Sequence, residues 1–251
     1  MRAVLSTPLK IAAQTKADAD RLIQLGARPA CLEVTGNLKF DVAVPTDQAA
    51  GRALRDQVGQ RRPVWIAAST RPGEEEAVLA AFGRIRERYP ATCLVLVPRH
   101  PDRFESVVAL CQAQGLTVAR RSQPTEDLTA ANVLIGDTMG ELTTLYAAAD
   151  MAFVGGSLVP LGGQNVLEPA ALGLPVIVGP HTFNFTAVVQ QLLACGGGVR
   201  VADADELAGA VTRWLDDERD RADRGAKARA LIDANRGAGE RLLGVLAEIL
   251  P

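Results

Sequence analysis

Residues 151–169, MAFVGGSLVPLGGQNVLEP, carry the pattern from which the fold of this chain is inferred. The stretch begins with an unbroken apolar run, Met151 to Val154, and continues with glycine pairs at 155–156 and 162–163. A helix is predicted from about Asn165 to Leu172. A continuous apolar run of strand length indicates a strand that is buried on both faces, as in a parallel sheet. The stretch is therefore one strand–loop–helix unit of an α/β domain.

The same unit recurs along the chain. Apolar runs that precede turns and amphipathic segments lie at 64–68, 94–97, 133–135 and 175–178. Helices are predicted at about 73–89, from 101 to near 115, from near 140, and at 184–195. A short strand near 199–201 precedes two helices at about 205–216 and 219–250. Alternating strands and helices predict a doubly wound, parallel, Rossmann-like α/β sheet.

The first 40 residues are less regular, and their pattern fits either an interdomain linker or the opening strand of the same sheet. A strand-like segment at 10–14 and another near 32–35 flank a helix predicted at about 16–25. The simplest organisation is a single domain over residues 1–251, closed by one terminal helix at 219–250.

Composition excludes several classes of protein. The chain has 27 Lys and Arg against 29 Asp and Glu, so its net charge of −2 offers no basic field for nucleic acid. Four scattered cysteines and two histidines disfavour a zinc site, and neither metal nor cofactor is expected. No apolar stretch is long enough to cross a membrane. A Gly-x-Gly-x-x-Gly fingerprint after the first strand and a Walker motif are both absent, which disfavours dehydrogenases and P-loop enzymes.

The glycine-rich segment before the 165–172 helix is the first candidate site. Gly163 and its neighbours would let backbone N–H groups approach a phosphate, beside a helix N-terminus. Asn165 could hold a phosphate or sugar oxygen, and Glu168 could accept hydrogen bonds from ribose hydroxyls. The spacing Asn165-x-x-Glu168 is also that of a capping box, which needs no ligand. The same spacing occurs at Asp203-x-x-Glu206, where no site is expected.

Two more loops follow buried strands at the same predicted edge of the sheet. Arg99 and His100 stand between two prolines that fix the backbone, and an Arg suits phosphate or carboxylate. Ser69 and Thr70 precede a strong helix start with acidic residues in its first turn, and this alone explains them. Their hydroxyls would also face the crevice, so a second role in ligand binding stays open. For His181, ligand contact and loop packing are equally good readings.

Six motifs, in order along nearly the whole chain, resemble 3-deoxy-D-manno-octulosonic acid (Kdo) transferases of lipopolysaccharide synthesis. They are Gly36–Asp41, Val97–Pro101, Gly136–Leu142, Phe153–Pro160, Asn165–Ala170 and Gly179–Phe185. The resemblance implies the C-terminal, donor-binding domain of a two-domain GT-B glycosyltransferase that transfers Kdo from CMP-Kdo to a lipid A precursor. It also implies action at the cytoplasmic face of the bacterial inner membrane, with the chain itself soluble and any membrane contact made through an N-terminal domain.

Residue roles follow from the resemblance alone. It implies that Glu168 holds the ribose and that the Met139-Gly140-Glu141 loop lies against the cytosine. It further implies that Arg99, His100 and Asn165 line the phosphate and Kdo side, and that Lys39 lies in a motif facing the cleft. The general base of the family belongs to the N-terminal domain, so no catalytic residue is expected here, and the isolated chain is expected to bind the donor without turnover.

This sequence departs from the family at three positions: Gln164 and Arg71 stand where His is usual, and Val166 replaces a frequent Pro. Gln164 can donate a neutral hydrogen bond but cannot carry a proton near pH 7. Two other hypotheses stay open. One is a non-catalytic nucleotide-binding or scaffold protein, and the other is a transferase or epimerase that uses a UDP-sugar, for which the loop near Met139 is the discriminator.

Overall fold

The computed structural model describes residue 5 and residues 9–41, 48–123 and 127–250. Their contacts divide into two compact units, the smaller within 1–43 and 232–251 and the larger within 44–231. In the smaller unit, strands β1 (Ile11–Ala13) and β2 (Leu32–Val34) pair in parallel and flank helix α1 (Lys16–Gln24). Short 3₁₀ helices span Pro29–Cys31 and Leu38–Phe40.

The larger unit contains one seven-stranded parallel sheet. Its strands are β3 (Val64–Thr70), β4 (Cys93–Pro98), β5 (Val118–Arg120), β6 (Val133–Ile135), β7 (Met151–Val154), β8 (Val176–Val178) and β9 (Gly198–Arg200). The strand order is β5-β6-β4-β3-β7-β8-β9, and every neighbouring pair is parallel.

Helices lie before, between and after these strands along the chain. They are α2 (Ala49–Val58), α3 (Glu74–Arg88), α4 (Phe104–Ala113), α5 (Leu142–Ala147), α6 (Leu167–Ala171), α7 (Thr186–Ala194), α8 (Ala204–Asp216), α9 (Glu218–Asn235) and α10 (Ala238–Ala247). A 3₁₀ turn, Pro101–Arg103, precedes α4. Residues 232–235 of α9 and the whole of α10 belong to the smaller unit.

Alternating residues of β3 supply two separate cores, one on each face of the sheet. Trp65 belongs to a cluster with Phe82 of α3 and Trp214 of α8. Ile66, the next residue, belongs to a cluster with Leu54 of α2 and Leu145 of α5. Successive side chains of a strand point to opposite faces, so both faces of this sheet are covered by helices. This confirms the predicted doubly wound α/β fold.

Four features differ from the prediction. β1 and β2 pair with each other and not with the large sheet, so residues 10–35 do not open it. The terminal helix is broken into α9 and α10, because Gly237 adopts a left-handed φ of +84° between them. Helix α6 begins at Leu167 rather than at Asn165. Helix α2 and edge strand β5 were not predicted.

Tertiary contacts explain α2. Gly51 lies against α5, where a Cβ atom at this position would come within 2.4 Å of the Ala147 Cβ. Arg55 donates to the Ala148 carbonyl at 2.9 Å and to the Asp150 carboxylate at 3.1 and 3.2 Å. Asp150 in turn accepts from the Val64 N–H at 2.8 Å. Helix α2 is thus stabilised by residues about a hundred positions later in the chain. The local sequence pattern does not reveal these contacts.

The strand order has one reversal, between β3 and β7. The chain moves from β3 through β4 to one side, and then continues from β7 through β8 to the other. In open parallel sheets, the loops on either side of such a reversal separate and leave a crevice at the carboxyl ends of the strands. Among the described residues, no helix is long and apolar enough to cross a membrane.

Candidate functional site

A cavity of about 270 Å³ opens at the carboxyl ends of the strands beside this reversal. It is formed by the loops that follow β3, β4, β6 and β7. Its lining residues are Ser69, Val97, Pro98, Arg99, Phe104, Gly136, Thr138, Met139, Gly140, Leu142, Gln164, Asn165 and Glu168. Four loops that are distant in sequence therefore converge where the α/β topology predicts a ligand.

Ser69 reaches the cavity through a break in strand β3. The pairing of β3 with β4 shifts between Ala68 and Thr70, and Ser69 adopts a left-handed φ of 57°. This conformation costs a non-glycine residue about 1 kcal/mol or more. The break turns Thr70 inward, where it is 1% exposed and donates to Glu75 at 3.1 Å. Ser69 therefore lines the cavity and Thr70 supports the helix behind it.

Asn165 and Glu168 form a directional pair. The Asn165 Nδ2 donates to the Glu168 Oε1 at 2.9 Å, and the Asn165 Oδ1 accepts from the Leu167 N–H at 3.0 Å. In a capping box, the acidic residue would instead accept from the backbone N–H of the cap residue. Among the described residues, no group donates to the Glu168 Oε2. The Glu168 Oε1 is thus held by Asn165, while the Oε2 has no donor among the described residues. Glu168 lines the cavity, so its Oε2 is available to accept from a ligand.

The glycine-rich loop is organised by the protein itself. The Gly163 N–H donates to the Gly156 carbonyl at 2.7 Å, and the Gln164 N–H donates to the Gly155 carbonyl at 3.1 Å. The N–H groups of Gly156 and Ser157 are bound by the Glu74 carboxylate. These four N–H donors are therefore occupied within the protein and are not available to a phosphate in this conformation. Helix α6, which follows the loop, has five residues.

Arg99 and His100 diverge after β4. Arg99 lines the cavity, is exposed, and makes no side-chain hydrogen bond or ion pair within the described ranges. His100 is exposed and its ring contacts the Arg71 guanidinium through Nε2. A guanidinium can only donate, so in this contact the ring accepts at Nε2. The free guanidinium of Arg99 is the group at the cavity that matches an anion.

The loop after β6 presents Met139 and Gly140 to the cavity. Met139 is 71% exposed, and Gly140 has a φ of +81°. Glu141 points elsewhere, because its carboxylate accepts from Arg121 at 2.8 Å and from the Thr138 hydroxyl at 2.5 Å. Through these hydrogen bonds, the Glu141 carboxylate stabilises the loop that carries Met139 and Gly140.

Asp137 anchors the start of the same loop. It accepts from the Ser122 hydroxyl at 2.6 Å, the Ser122 N–H at 2.8 Å and the Arg120 guanidinium at 2.8 Å. Burial alone would raise the pKa of Asp137, but the hydrogen bonds from Ser122 and Arg120 outweigh it and lower that pKa. The carboxylate form of Asp137 is therefore the one that the fold stabilises.

Two buried groups behind the cavity have raised pKa values. Burial raises the pKa of Glu75, although Arg103 at 3.3 Å and the Thr70 hydroxyl oppose the shift. Burial also raises the pKa of Tyr146 on α5, and the negative charge of Glu168 adds to the effect. The Tyr146 hydroxyl thus stays protonated beneath the cavity at physiological pH.

The cavity contains seven of the twelve residues selected from sequence. They are Ser69, Arg99, Met139, Gly140, Gln164, Asn165 and Glu168. Thr70, His100, Glu141 and Gly163 lie in the same loops but outside its lining, and Lys39 belongs to the smaller unit. His181 is also outside the lining, with its backbone N–H donating to Ser157 at 2.9 Å.

Sequence reasoning missed Phe104, whose ring lines the cavity from the first residue of α4. The available signal was Pro101, since a proline-started turn after a buried strand places the next residues at the strand's carboxyl end. Val97, Pro98, Gly136, Thr138 and Leu142 also line the cavity, and all lie within motifs that had been noted for their neighbours. Within the described residues, no group of three or more His, Cys, Asp or Glu side chains is placed to hold a metal ion.

Comparisons with known proteins show the family to which the chain belongs. Residues 76–231 match the family model of the glycosyl transferases group 1, and residues 1–42 match that of 3-deoxy-D-manno-octulosonic-acid transferase (kdotransferase). The C-terminal CMP-Kdo binding domain of WaaA from Acinetobacter baumannii superposes with a TM-score of 0.67 at 32% identity, over 73% of this chain and 98% of that one. This chain belongs to the Kdo transferase family.

Curated relatives in the Kdo transferase family extend further than this chain. The 3-deoxy-D-manno-octulosonic acid transferase of Bordetella pertussis is 42% identical over all of this chain and 59% of its own length. The corresponding transferase of Haemophilus influenzae is 41% identical over 96% of this chain and 57% of its own length. This chain therefore spans little more than half of the relatives that it matches.

A more distant structure supports the fold alone. Anabaena Alr3699/HepE, solved with UDP and glucose, superposes with a TM-score of 0.58 at 16% identity, over 98% of this chain and 64% of that one. Together with the WaaA domain, it confirms the predicted fold class, the C-terminal domain of a GT-B glycosyltransferase.

Proposed function

We propose that this chain is the donor-binding portion of a glycosyltransferase that transfers Kdo from CMP-Kdo to a lipid A precursor. Membership of the Kdo transferase family supports the transfer of Kdo. The relative of known structure is described as a CMP-Kdo binding domain, and this chain covers 98% of it. The cavity beside the β3–β7 reversal is the site assigned to the nucleotide.

The observation that carries the proposal is the free Oε2 of Glu168. Asn165 fixes the first carboxylate oxygen at 2.9 Å, so the second has a defined direction without a protein donor among the described residues. A ribose presents two adjacent hydroxyls, and a carboxylate is the stronger type of acceptor for them. In this proposal, Glu168 binds the ribose and Asn165 holds the Glu168 carboxylate in the required direction.

The remaining polar groups suit the rest of the donor. Arg99 supplies a free guanidinium for the phosphate or the Kdo carboxylate. Ser69 and Gln164 supply neutral hydrogen bonds from the loops after β3 and β7. Because the Gln164 amide does not titrate, its contribution to donor binding is independent of pH near neutrality. The Met139–Gly140 loop faces the base.

The acceptor, the general base and the membrane contact are assigned to the part of the family that this chain does not span. In this proposal, the complete enzyme acts at the cytoplasmic face of the inner membrane, and Lys39 faces the cleft between its two domains. The chain by itself binds CMP-Kdo without transferring Kdo. Incubation with CMP-Kdo and a lipid A precursor should accordingly release no CMP beyond the rate of spontaneous hydrolysis.

Titration calorimetry with CMP, UMP and ADP tests the proposal. The expected result is binding of one CMP per chain, with UMP and ADP weaker. A preference for UMP would support the UDP-sugar reading, and the absence of any preference would count against a CMP-sugar site. A chain that binds CMP-Kdo, yet supports no transfer when the acceptor-binding part is supplied in trans, would support the non-catalytic alternative.

The matched variants are Glu168→Gln and Glu206→Gln. Both residues stand three positions after a side chain that accepts from the backbone of its helix start, but Glu206 itself accepts from the Ala202 N–H at 2.7 Å. Glu168→Gln should weaken CMP binding with little effect on unfolding, whereas Glu206→Gln should lower stability and leave CMP binding unchanged. Equal CMP affinity in the Glu168 variant and the unmodified chain would remove Glu168 from the site.

A further inference from the structure

The Glu74 carboxylate is a buried charge bound by backbone alone. Its side chain has no exposed surface, although it is the first residue of α3. It accepts from the N–H groups of Gly156 at 2.6 Å, Leu158 at 2.8 Å, Ser157 at 2.9 Å and Arg71 at 2.9 Å. Within the described part of the chain no cation pairs with it. Burial of a carboxylate is costly, so this arrangement must satisfy it with donors.

Three of these donors are consecutive along the loop after β7. Consecutive N–H groups that converge on one point form an anion-binding concavity, usually with a left-handed residue, and Gly156 has a φ of +67°. The neighbouring Gly155 leaves room for the carboxylate, because a Cβ atom there would lie 2.9 Å from the Glu74 Oε2. The glycine-rich loop thus encloses an anion that the chain itself provides.

The Glu74 network, meaning Glu74 with the N–H groups of Arg71, Gly156, Ser157 and Leu158, joins two walls of the cavity. On one side, Arg71 is two residues from Ser69, the strained lining residue of β3. On the other, the Gly155 and Gly156 carbonyls accept from Gln164 at 3.1 Å and Gly163 at 2.7 Å. Ser69 and Gln164 both line the cavity. The Glu74 carboxylate, together with the bond from the Gly155 N–H to the Ala68 carbonyl at 2.8 Å, therefore links the loops on either side of the β3–β7 reversal.

We infer that Glu74 is a positioning residue for nucleotide binding, acting on Ser69 and Gln164 without touching the ligand. This inference rests on the proposed function, since CMP affinity is its readout. The Glu74 Oε1 accepts from Ser157 and Leu158, and its Oε2 accepts from Gly156 and Arg71. A glutamine at this position would turn its NH₂ group toward two N–H donors in either orientation, so the two loops must separate.

The first experiment compares CMP binding by the unmodified chain, Glu74→Gln and Glu76→Gln, all at a temperature where circular dichroism shows them folded. Glu76 is exposed on the same turn of α3 and is the matched control. Glu74→Gln should weaken CMP binding by about tenfold or more, and Glu76→Gln should leave it unchanged. Equal affinity in the Glu74 variant and the unmodified chain would overturn the inference.

Chemical rescue separates positioning from a general loss of packing. In Glu74→Ala, the concavity loses its anion and keeps its N–H donors, so formate should restore CMP affinity while formamide, of similar size but neutral, should not. Backbone amide shifts of Gly156, Ser157 and Leu158 should change with formate in the variant and not in the unmodified chain. Restoration by both compounds, or by neither, would contradict the assigned role.

Failure of the Glu74 variants to fold also tests the inference. Glu74→Asp keeps the charge with a shorter side chain, and is the variant to use if the others do not fold. If no Glu74 variant folds, with or without formate, Glu74 serves the fold alone and the inference fails. Lack of CMP binding by the unmodified chain would instead defeat the proposed function, so the two failures are distinguishable.

Discussion

The side-chain amide of Asn165 donates to one oxygen of the Glu168 carboxylate at 2.9 Å, and its carbonyl oxygen accepts from the Leu167 N–H at 3.0 Å. Asn165 thus bonds to the first residue of α6 and orients Glu168 with the two ends of one side chain, although the N-cap position itself is Val166. Support of the helix start and orientation of a binding residue, which are alternatives at the level of sequence, coexist in this pair. They can be separated, because each depends on a different atom of Asn165.

Asn165→Asp should weaken CMP binding without removing the hydrogen bond to the Leu167 N–H. An aspartate keeps an oxygen for the Leu167 N–H but loses the donor to Glu168 and places two carboxylates together. We expect CMP affinity to fall about tenfold or more, equivalent to about 1.4 kcal/mol, as measured by calorimetry. The control is Asp203→Asn, in which a good cap replaces another at α8. A fall in unfolding free energy without a fall in CMP affinity would contradict the orienting role.

Two substitutions of Ser69 should distinguish the backbone strain at this residue from the contribution of its hydroxyl to CMP binding. Ser69→Ala and Ser69→Gly both lose the hydroxyl, but only glycine adopts the left-handed φ of 57° without cost. We expect the glycine variant to exceed the alanine variant in unfolding free energy by about 1 kcal/mol, measured with denaturant. Both should bind CMP more weakly, and to a similar extent. Unchanged affinity in both would show that the hydroxyl makes no contact with the nucleotide.

Two Gly→Ala substitutions should have opposite effects on stability. A Cβ atom at Gly155 would lie 2.7 Å from both the Ser69 carbonyl oxygen and the Thr70 Cα, whereas at Gly83 on α3 nothing lies within 4 Å. Gly83→Ala should raise the unfolding free energy by about 0.5–1 kcal/mol through helix propensity. Gly155→Ala should lower it by about 2 kcal/mol or more, because backbone must move. Similar stabilities for the two variants would contradict the close approach.

Acid stability should report on Asp137. Its pKa is lowered in the folded chain from an ordinary value of 3.8, so its contribution is fully present above that value and is lost as pH falls through the folded pKa. Asp137→Asn should therefore lower the unfolding free energy at pH 7 by about 2 kcal/mol. Below pH 3.8, the difference in unfolding free energy between the variant and the unmodified chain should become smaller. Exposed Asp102→Asn is the control. A deficit that is constant from pH 7 to pH 2.5 would contradict the shift.

The fold was predictable from local pattern where burial is continuous. The runs that became β3, β4, β6, β7 and β8 are apolar throughout because both faces of the sheet are covered. Edge strand β5 was missed because only its middle residue, Ala119, is buried. Helix α2 was missed because Arg55 and Gly51 depend on partners about a hundred residues away.

The location of the cavity was predictable, but the hydrogen bonds that organise its loops were less so. Strand ends and glycine pairs indicated loops that line the cavity, and Gln164, Asn165 and Glu168 are among its lining residues. The partner of Gly156 was not predictable, since Glu74 lies 82 residues earlier and looks like an ordinary first-turn acid. Which donors remain free for a ligand depends on such long-range pairs, and spacing within one motif does not contain that information.

Backbone amide mapping by NMR during a CMP titration shows whether CMP binds in the cavity beside the β3–β7 reversal. We expect saturable shifts at the lining loops, namely at Ser69, Arg99, Gly140, Gln164 and Glu168, with a single affinity for all of them. Shifts confined to the arginine-lined cavity at Arg61 and Arg62, on the opposite edge of the sheet, or no saturable shifts at all, would contradict binding of CMP in this cavity.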